Sequence, residues 1–151
     1  MALRQIVTMG EDVLYKKSRK VEKFDDRLAM LLDDMAETMY AANGVGLAAV
    51  QIGILKRVIV VDTGEGLMEL VNPEIIAVDG EQEGYEGCLS VPGKRGWVKR
   101  PMSVTLKAQD RNGEEHTYTA DGFTARAFCH ETDHLDGVLY VEHTDVLENN
   151  D

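Results

Sequence analysis

The stretch FCHETDHLDG, residues 128–137, constrains this chain more than any other. His130 and His134 stand four residues apart. On a helix that spacing puts both imidazoles on one face, where they can grip one metal ion. Glu131 follows the first histidine and projects about 100° round from it, so it reaches the same space without having to ligate. A helix is expected here, and on its own a five-residue match of this kind arises by chance in many chains. A catalytic metal of this type wants three protein ligands and an open position, and the stretch supplies two.

The pattern becomes helical at Asp121 or Gly122, as FTARAFCHETDHLDG, and Gly137 closes the helix. A first long helix is expected in DDRLAMLLDDMAETMYAANG. There Leu28, Leu31, Leu32, Met35 and Met39 recur at helical spacing, with Asp33, Asp34 and Glu37 on the other side. Asp25 or Asp26 caps its start, and Asn43-Gly44 stops it. Between the helices the signals are those of strands. KRVIVVDT, residues 56–63, is a β-branched run that reads as a buried strand. GLMELVNPEI reads as a second, ended or bulged near Pro73. Val104, Leu106 and Ala108 alternate, Asn112-Gly113 is a hairpin turn, and residues 114–120 return as the partner strand. The expected class is α+β: short antiparallel strands packed around the C-terminal helix, with an N-terminal helix added, in a single domain over residues 1–151.

The search for a third ligand runs in both directions. Known His-Glu-x-x-His peptidases draw it from downstream. The position six residues after His134 is Tyr140, which does not fit. A glutamate on a later helix has no room, since 17 residues follow His134. His143 is chemically suitable but falls in an exposed-looking acidic tail. Upstream, EGCLSVPG places Cys88 between a glycine and a short apolar segment, and a thiolate suits zinc or ferrous iron. Also upstream, GVGLAAVQIG combines glycines and small residues with Gln51. Such a backbone can approach a ligand closely, and a glutamine amide can donate to an oxyanion. Taken singly, a lone cysteine is more often core than ligand, and a Gly-rich turn is more often just a turn.

The three together, GVGLAAVQ, EGCLS and HETDH in that order, resemble the signature motifs of the peptide deformylases. The resemblance extends from about Ile6 to Val141. It implies removal of the N-formyl group from the N-terminal methionine of new proteins, releasing formate. Cys88, His130 and His134 would be the metal ligands and Glu131 the general base and acid. Gln51 and the backbone N–H of Leu89 would hold the formyl oxygen. Val45 and Gly46 would bond a peptide lying as an added strand. Gly84, Phe123, Arg126, Ala127 and the His130 ring would form the methionine pocket, and Arg95 would lie near the substrate's path. The family carries ferrous iron in the cell, with zinc, nickel or cobalt able to replace it.

Composition narrows the setting. The formal net charge of -11 disfavours a large nucleic-acid footprint, so no direct nucleic-acid binding is expected. No apolar run can span a membrane, and the start MALRQIVTMGEDVLYKK is not a signal peptide. Two cysteines are no disulfide framework and suit a reducing cytoplasm. Some deformylases dock on the ribosome through a long basic C-terminal helix. The ending VEHTDVLENND is short and acidic, so a transient ribosome contact would need another surface. Cys129 reads as core filler and His116 as surface. Asp133 reads equally as a ligand-orienting carboxylate or a local cap, and Trp97 as a groove wall or ordinary packing. Two rivals remain. A structural metal protein predicts a closed site with four ligands. A general metallopeptidase or amidohydrolase predicts activity on free or internal peptides.

Overall fold

The computed structural model describes residues 2–150. Its helices are α1 (Asp26–Ala41) and α2 (Gly122–Leu135). Its strands are β1 (Gly46–Ala48), β2 (Val58–Val61), β3 (Met68–Asp79), β4 (Gln82–Cys88), β5 (Val91–Arg100), β6 (Ser103–Gln109), β7 (Glu115–Asp121) and β8 (Leu147–Asn149). All ladders between them are antiparallel. They form a five-stranded sheet in the order β1-β2-β3-β6-β7 and a three-stranded sheet in the order β4-β5-β8. The class is α+β, as the patterning indicates. Among the described residues no helix is long and apolar enough to cross a membrane.

The β-branched run in β2 is explained by its place between the helices. Its four residues are all buried. Ile59 and Val61 join Ala125, Phe128, Cys129 and Leu135 of α2, while Val58 and Val60 join Leu28, Leu32, Met35 and Met39 of α1. Strand alternation thus serves two cores at once. The Asp25 side chain caps α1 by accepting from Leu28 N at 3.1 Å. β3 runs through Pro73 with a register shift between Val71 and Glu74, and Asn72 there has φ 51°. The predicted Asn112-Gly113 turn joins β6 to β7. After α2, Gly137 takes φ +78°, and a β-carbon there would lie 2.5 Å from Tyr15 O, so only glycine fits.

Two expectations are corrected. Asp34 is not on a solvated face: it is 2% exposed, accepting from Ala2 N at 2.7 Å and from Arg4 Nε at 2.9 Å. The tail is exposed over residues 145–150, as its acidic composition suggests, and it is also tied to the fold. Tyr140–His143 form a 3-10 turn with Tyr140 buried, and β8 pairs with β5 from Lys94↔Asn149 to Gly96↔Leu147. The second sheet lies in a region where the patterning marks no strands. The inner face of β4 is Gln82, Gly84, Glu86 and Cys88, so it lacks apolar alternation.

Candidate metal centre

Helix α2 turns His130 and His134 toward one point, their ring centroids 5.1 Å apart. The end of β4 brings Cys88 to the same place, with Sγ 3.3 Å from His134 Nε2. Ligand atoms of Cys88, His130 and His134 all lie within 4.8 Å of one another. His143 is not there. Its Nε2 faces Asp133 Oδ2 at 3.2 Å on the exposed side of the helix. The third potential donor within reach of the two histidines is the upstream cysteine. One thiol and two imidazoles at this spacing fit a divalent ion such as zinc or ferrous iron with a position left open. Among the described residues no fourth such donor joins the group.

Glu131 is 5% exposed, and its Oε1 has no hydrogen-bond partner among the described residues. Burial pushes its carboxyl up to about 7, against the pull of His130. A β-carbon on Gly46 would lie 2.5 Å from Glu131 Oε2, so the glycine of β1 is what lets this carboxyl reach the cleft. Gln51, in the 3-10 turn Ala49–Ile52, is fixed at both ends of its amide. Oε1 accepts from Ala48 N at 2.9 Å, and Nε2 donates to Ser90 Oγ at 3.1 Å with Cys88 Sγ at 3.5 Å. A cleft of about 350 Å³ runs between Gly44–Gly46 and Gly87–Leu89, with His130, Glu131, Gln51 and Cys88 in its wall. A smaller cavity of about 170 Å³ opens beside it, lined by Val45, Tyr85, Phe123, Arg126, Ala127 and His130. The cleft wall thus carries a fixed amide and a buried carboxyl beside a possible metal-binding group.

Known proteins are similar to this chain in sequence and in fold. The Polypeptide deformylase family model matches residues 3–150. The chain belongs to the polypeptide deformylase family. It is 60% identical over 142 residues to the peptide deformylase of Caldicellulosiruptor bescii, covering 94% of this chain and 86% of that one. It is 55% identical over 150 residues to peptide deformylase 1 of Clostridium acetobutylicum, covering 99% and 100%. The crystal structure of peptide deformylase from Thermotoga maritima superposes with a TM-score of 0.94 at 39% identity, covering 97% of this chain and 100% of that one.

Most of the residues that the deformylase motifs single out converge here. Cys88, His130, His134, Glu131, Gln51, Leu89, Val45 and Gly46 all meet at or beside the cleft. Phe123, Arg126 and Ala127 line the side cavity. Gly84 does not. It packs under the Arg126 guanidinium, where a β-carbon would be 3.1 Å from Nη2, and Tyr85 and Gly87 line the cavity instead. Arg95 turns to Tyr85, 4.0 Å from the ring centroid, with Glu148 at 3.9 Å. Trp97 is 50% exposed and sets its edge against Tyr85 at 5.0 Å. Cys129 is buried with its thiol pushed up to about 11 by burial, which keeps it neutral.

Glu86 is the residue that sequence reasoning passed over. Its Oε1 meets His130 Nδ1 at 2.8 Å and Arg100 Nη2 at 2.9 Å. Its Oε2 meets Arg100 Nε at 2.7 Å and Arg126 Nη1 at 2.9 Å. Burial alone would raise this carboxyl, but Arg100 and His130 outweigh it and hold it at about 2. Asp133 ends the chain of contacts by accepting from Arg100 Nη1 at 2.8 Å. A signal was present: Glu86 lies two residues before Cys88, hence on the same face of a strand.

Proposed function

We propose that Cys88, His130 and His134 hold a divalent metal, ferrous iron in the cell, and that Glu131 moves the protons of an amide hydrolysis beside it. The chain is a metal-dependent hydrolase that removes the N-formyl group from the N-terminal methionine of new peptides and releases formate. A metal so held supplies Lewis acidity and makes a coordinated water easier to deprotonate. Glu131 accepts the proton of the attacking water and returns it to the leaving amine. Gln51 Nε2 and the Leu89 N–H donate to the oxygen as it gains charge. Val45 and Gly46 hold the peptide as an added strand, and the side cavity takes the methionine side chain. The formyl carbon carries only hydrogen as its second substituent, so a tight cleft excludes acetyl on size. Residues 1–151 act as one catalytic domain, in the cytoplasm, with at most a transient ribosome contact.

The observation that carries this reading is the 3.3 Å approach of Cys88 Sγ to His134 Nε2, in a cleft whose wall includes Glu131. The test compares formyl-Met-Ala-Ser, acetyl-Met-Ala-Ser and Met-Ala-Ser-amide. Turnover of the formyl peptide should exceed that of the acetyl peptide by at least about 10²-fold, the scale of one badly placed group in a tight site. Equal rates on the first two would mean a general amidohydrolase. Cleavage of the third would mean a peptidase, and no turnover of any would mean a structural metal site.

A further inference from the structure

The formal charge of -11 conceals a strong local asymmetry. KKSRKVEK, residues 16–23, carries five cations and one carboxylate. All five cations are exposed, as are Arg27 and Lys56. Arg4, Arg57, Arg95, Arg100, Lys107, Arg111 and Arg126 each form an ion pair. Among the described residues, none of the exposed seven has a carboxylate within 4.0 Å, although the chain holds 27 acidic residues. A charge run is usually just a solvated face. Leaving this one unneutralised in so acidic a chain keeps a local positive field.

The row is also built into the fold. Arg19 N donates to Leu55 O at 3.0 Å and Arg57 N to Arg19 O at 2.9 Å, which straps KKSRKVEK alongside Leu55–Arg57. Ser18 N donates to Leu135 O at 2.8 Å, and Asn72 grips Val21 by both N and O. Ser18 and Val21 are buried, so the cations between and around them are held outward. A groove of about 730 Å³ results, lined by five cations, Arg19, Lys20, Lys23, Arg27 and Lys56, against two carboxylates, Glu22 and Asp25, and it shares no residue with the cleft.

We propose that this groove docks the phosphate backbone of RNA, leaving the catalytic cleft open. The biological sense of the contact rests on the reading that the substrates are nascent chains, which emerge from an RNA-rich particle. Cations in the walls of a groove suit a phosphodiester strand. A membrane would want an amphipathic helix with an apolar face, and this segment is extended. An acidic peptide added as a strand would want free main-chain donors, and those of Ser18, Arg19 and Val21 are already bonded. The net acidity of the remainder keeps the contact weak and salt-sensitive.

The test uses fluorescence anisotropy of a labelled oligouridylate of roughly 20 nucleotides, from about 50 mM salt upward. The variant combines Lys16→Gln, Lys20→Gln, Lys23→Gln and Lys56→Gln. Affinity should fall at least about tenfold, and the slope of log affinity against log salt should flatten by roughly 2 to 3, at about 0.7 per lost phosphate contact. Melting temperature and formyl-peptide turnover should stay at wild-type values, which separates this groove from the deformylase cleft. The proposal is overturned if the wild type does not bind, or if the variant binds equally well. Tighter binding to phosphatidylserine vesicles or polyglutamate than to the RNA would overturn it too.

Discussion

Glu86 Oε1 lies 2.8 Å from His130 Nδ1, and the same carboxylate is clamped by Arg100 and Arg126. A carboxylate held at about 2 is ionised, so it must accept, and His130 must carry its proton on Nδ1. In the neutral imidazole the lone pair is then on Nε2, the atom available for a metal. Replacing Glu86 by glutamine weakens this orientation without emptying the pocket of polar partners. Metal affinity of Glu86→Gln should fall roughly 10- to 100-fold, read by competition with a chelator. Wild-type affinity in that variant would remove Glu86 from the account of the site.

Glu131→Gln separates base from ligand. Metal content should stay at wild-type stoichiometry while turnover drops by at least roughly 10²-fold. Loss of metal with an unchanged rate per metal would mean that Glu131 is a ligand and the base lies elsewhere.

The two cysteines should behave oppositely. Cys88→Ala leaves two histidines and should lose metal affinity by orders of magnitude. Cys129→Ala should keep its metal with a modest loss of stability, on the order of 1 kcal/mol for a small buried side chain. His143→Ala, which disturbs only an exposed contact to Asp133, should also keep it. Metal content after dialysis decides between them, and retention by Cys88→Ala with loss by His143→Ala would close the site from the tail instead.

Gly46→Ala probes the approach of β1 to the base. The added carbon would sit 2.5 Å from Glu131 Oε2, so the carboxylate has to move. Turnover should fall about 10²-fold with metal retained, the scale of a misplacement near 1 Å. Unimpaired turnover would show that Glu131 can act from a different position.

Asp34 should set part of the acid stability. The Ala2 N–H holds its carboxyl below the ordinary aspartate value of 3.8 and Arg4 adds to this, against the opposing effect of burial. A depressed carboxyl stabilises fully above its unfolded pKa, and the contribution is lost as pH falls through the folded one. Asp34→Asn should therefore cost about 1 kcal/mol at neutral pH and progressively less below pH 3.8, in urea titrations run across that range. A constant difference at every pH would assign the cost to packing rather than charge.

What could be read in advance follows from which residues keep to one role. His130 and His134 stood out because their four-residue spacing is meaningful only on a helix, and α1 because its Leu and Met stripe has no other use. β4 and β5 were hidden because their buried positions include Gly84, Glu86, Gly96 and Arg100, chosen for the site and for close packing rather than for alternation. Asp34 misled because a carboxylate on a helix is ordinarily solvated, and only the folded N-terminal segment supplies its partners. Arg95 and Gly84 were expected near the substrate's path and in the methionine pocket, whereas the fold turns Arg95 to Tyr85 and sets Gly84 beneath Arg126. Net charge hid the basic groove, since a sum over the whole chain says nothing of where the cations gather.

The proposed ligands come from different parts of the architecture: Cys88 from the three-stranded sheet, the histidines from a helix packed on the five-stranded one. Cys88 and His134 are 46 residues apart in the chain. The centre therefore cannot exist in an unfinished copy. A chain still being synthesised offers one proposed ligand until α2 has emerged and docked, so metal loading would have to follow that docking. Once bound, the ion would cross-link the two sheets and stabilise the native state in proportion to the logarithm of its free concentration. In a cell starved of metal, newly made copies would be the ones first offered to proteases.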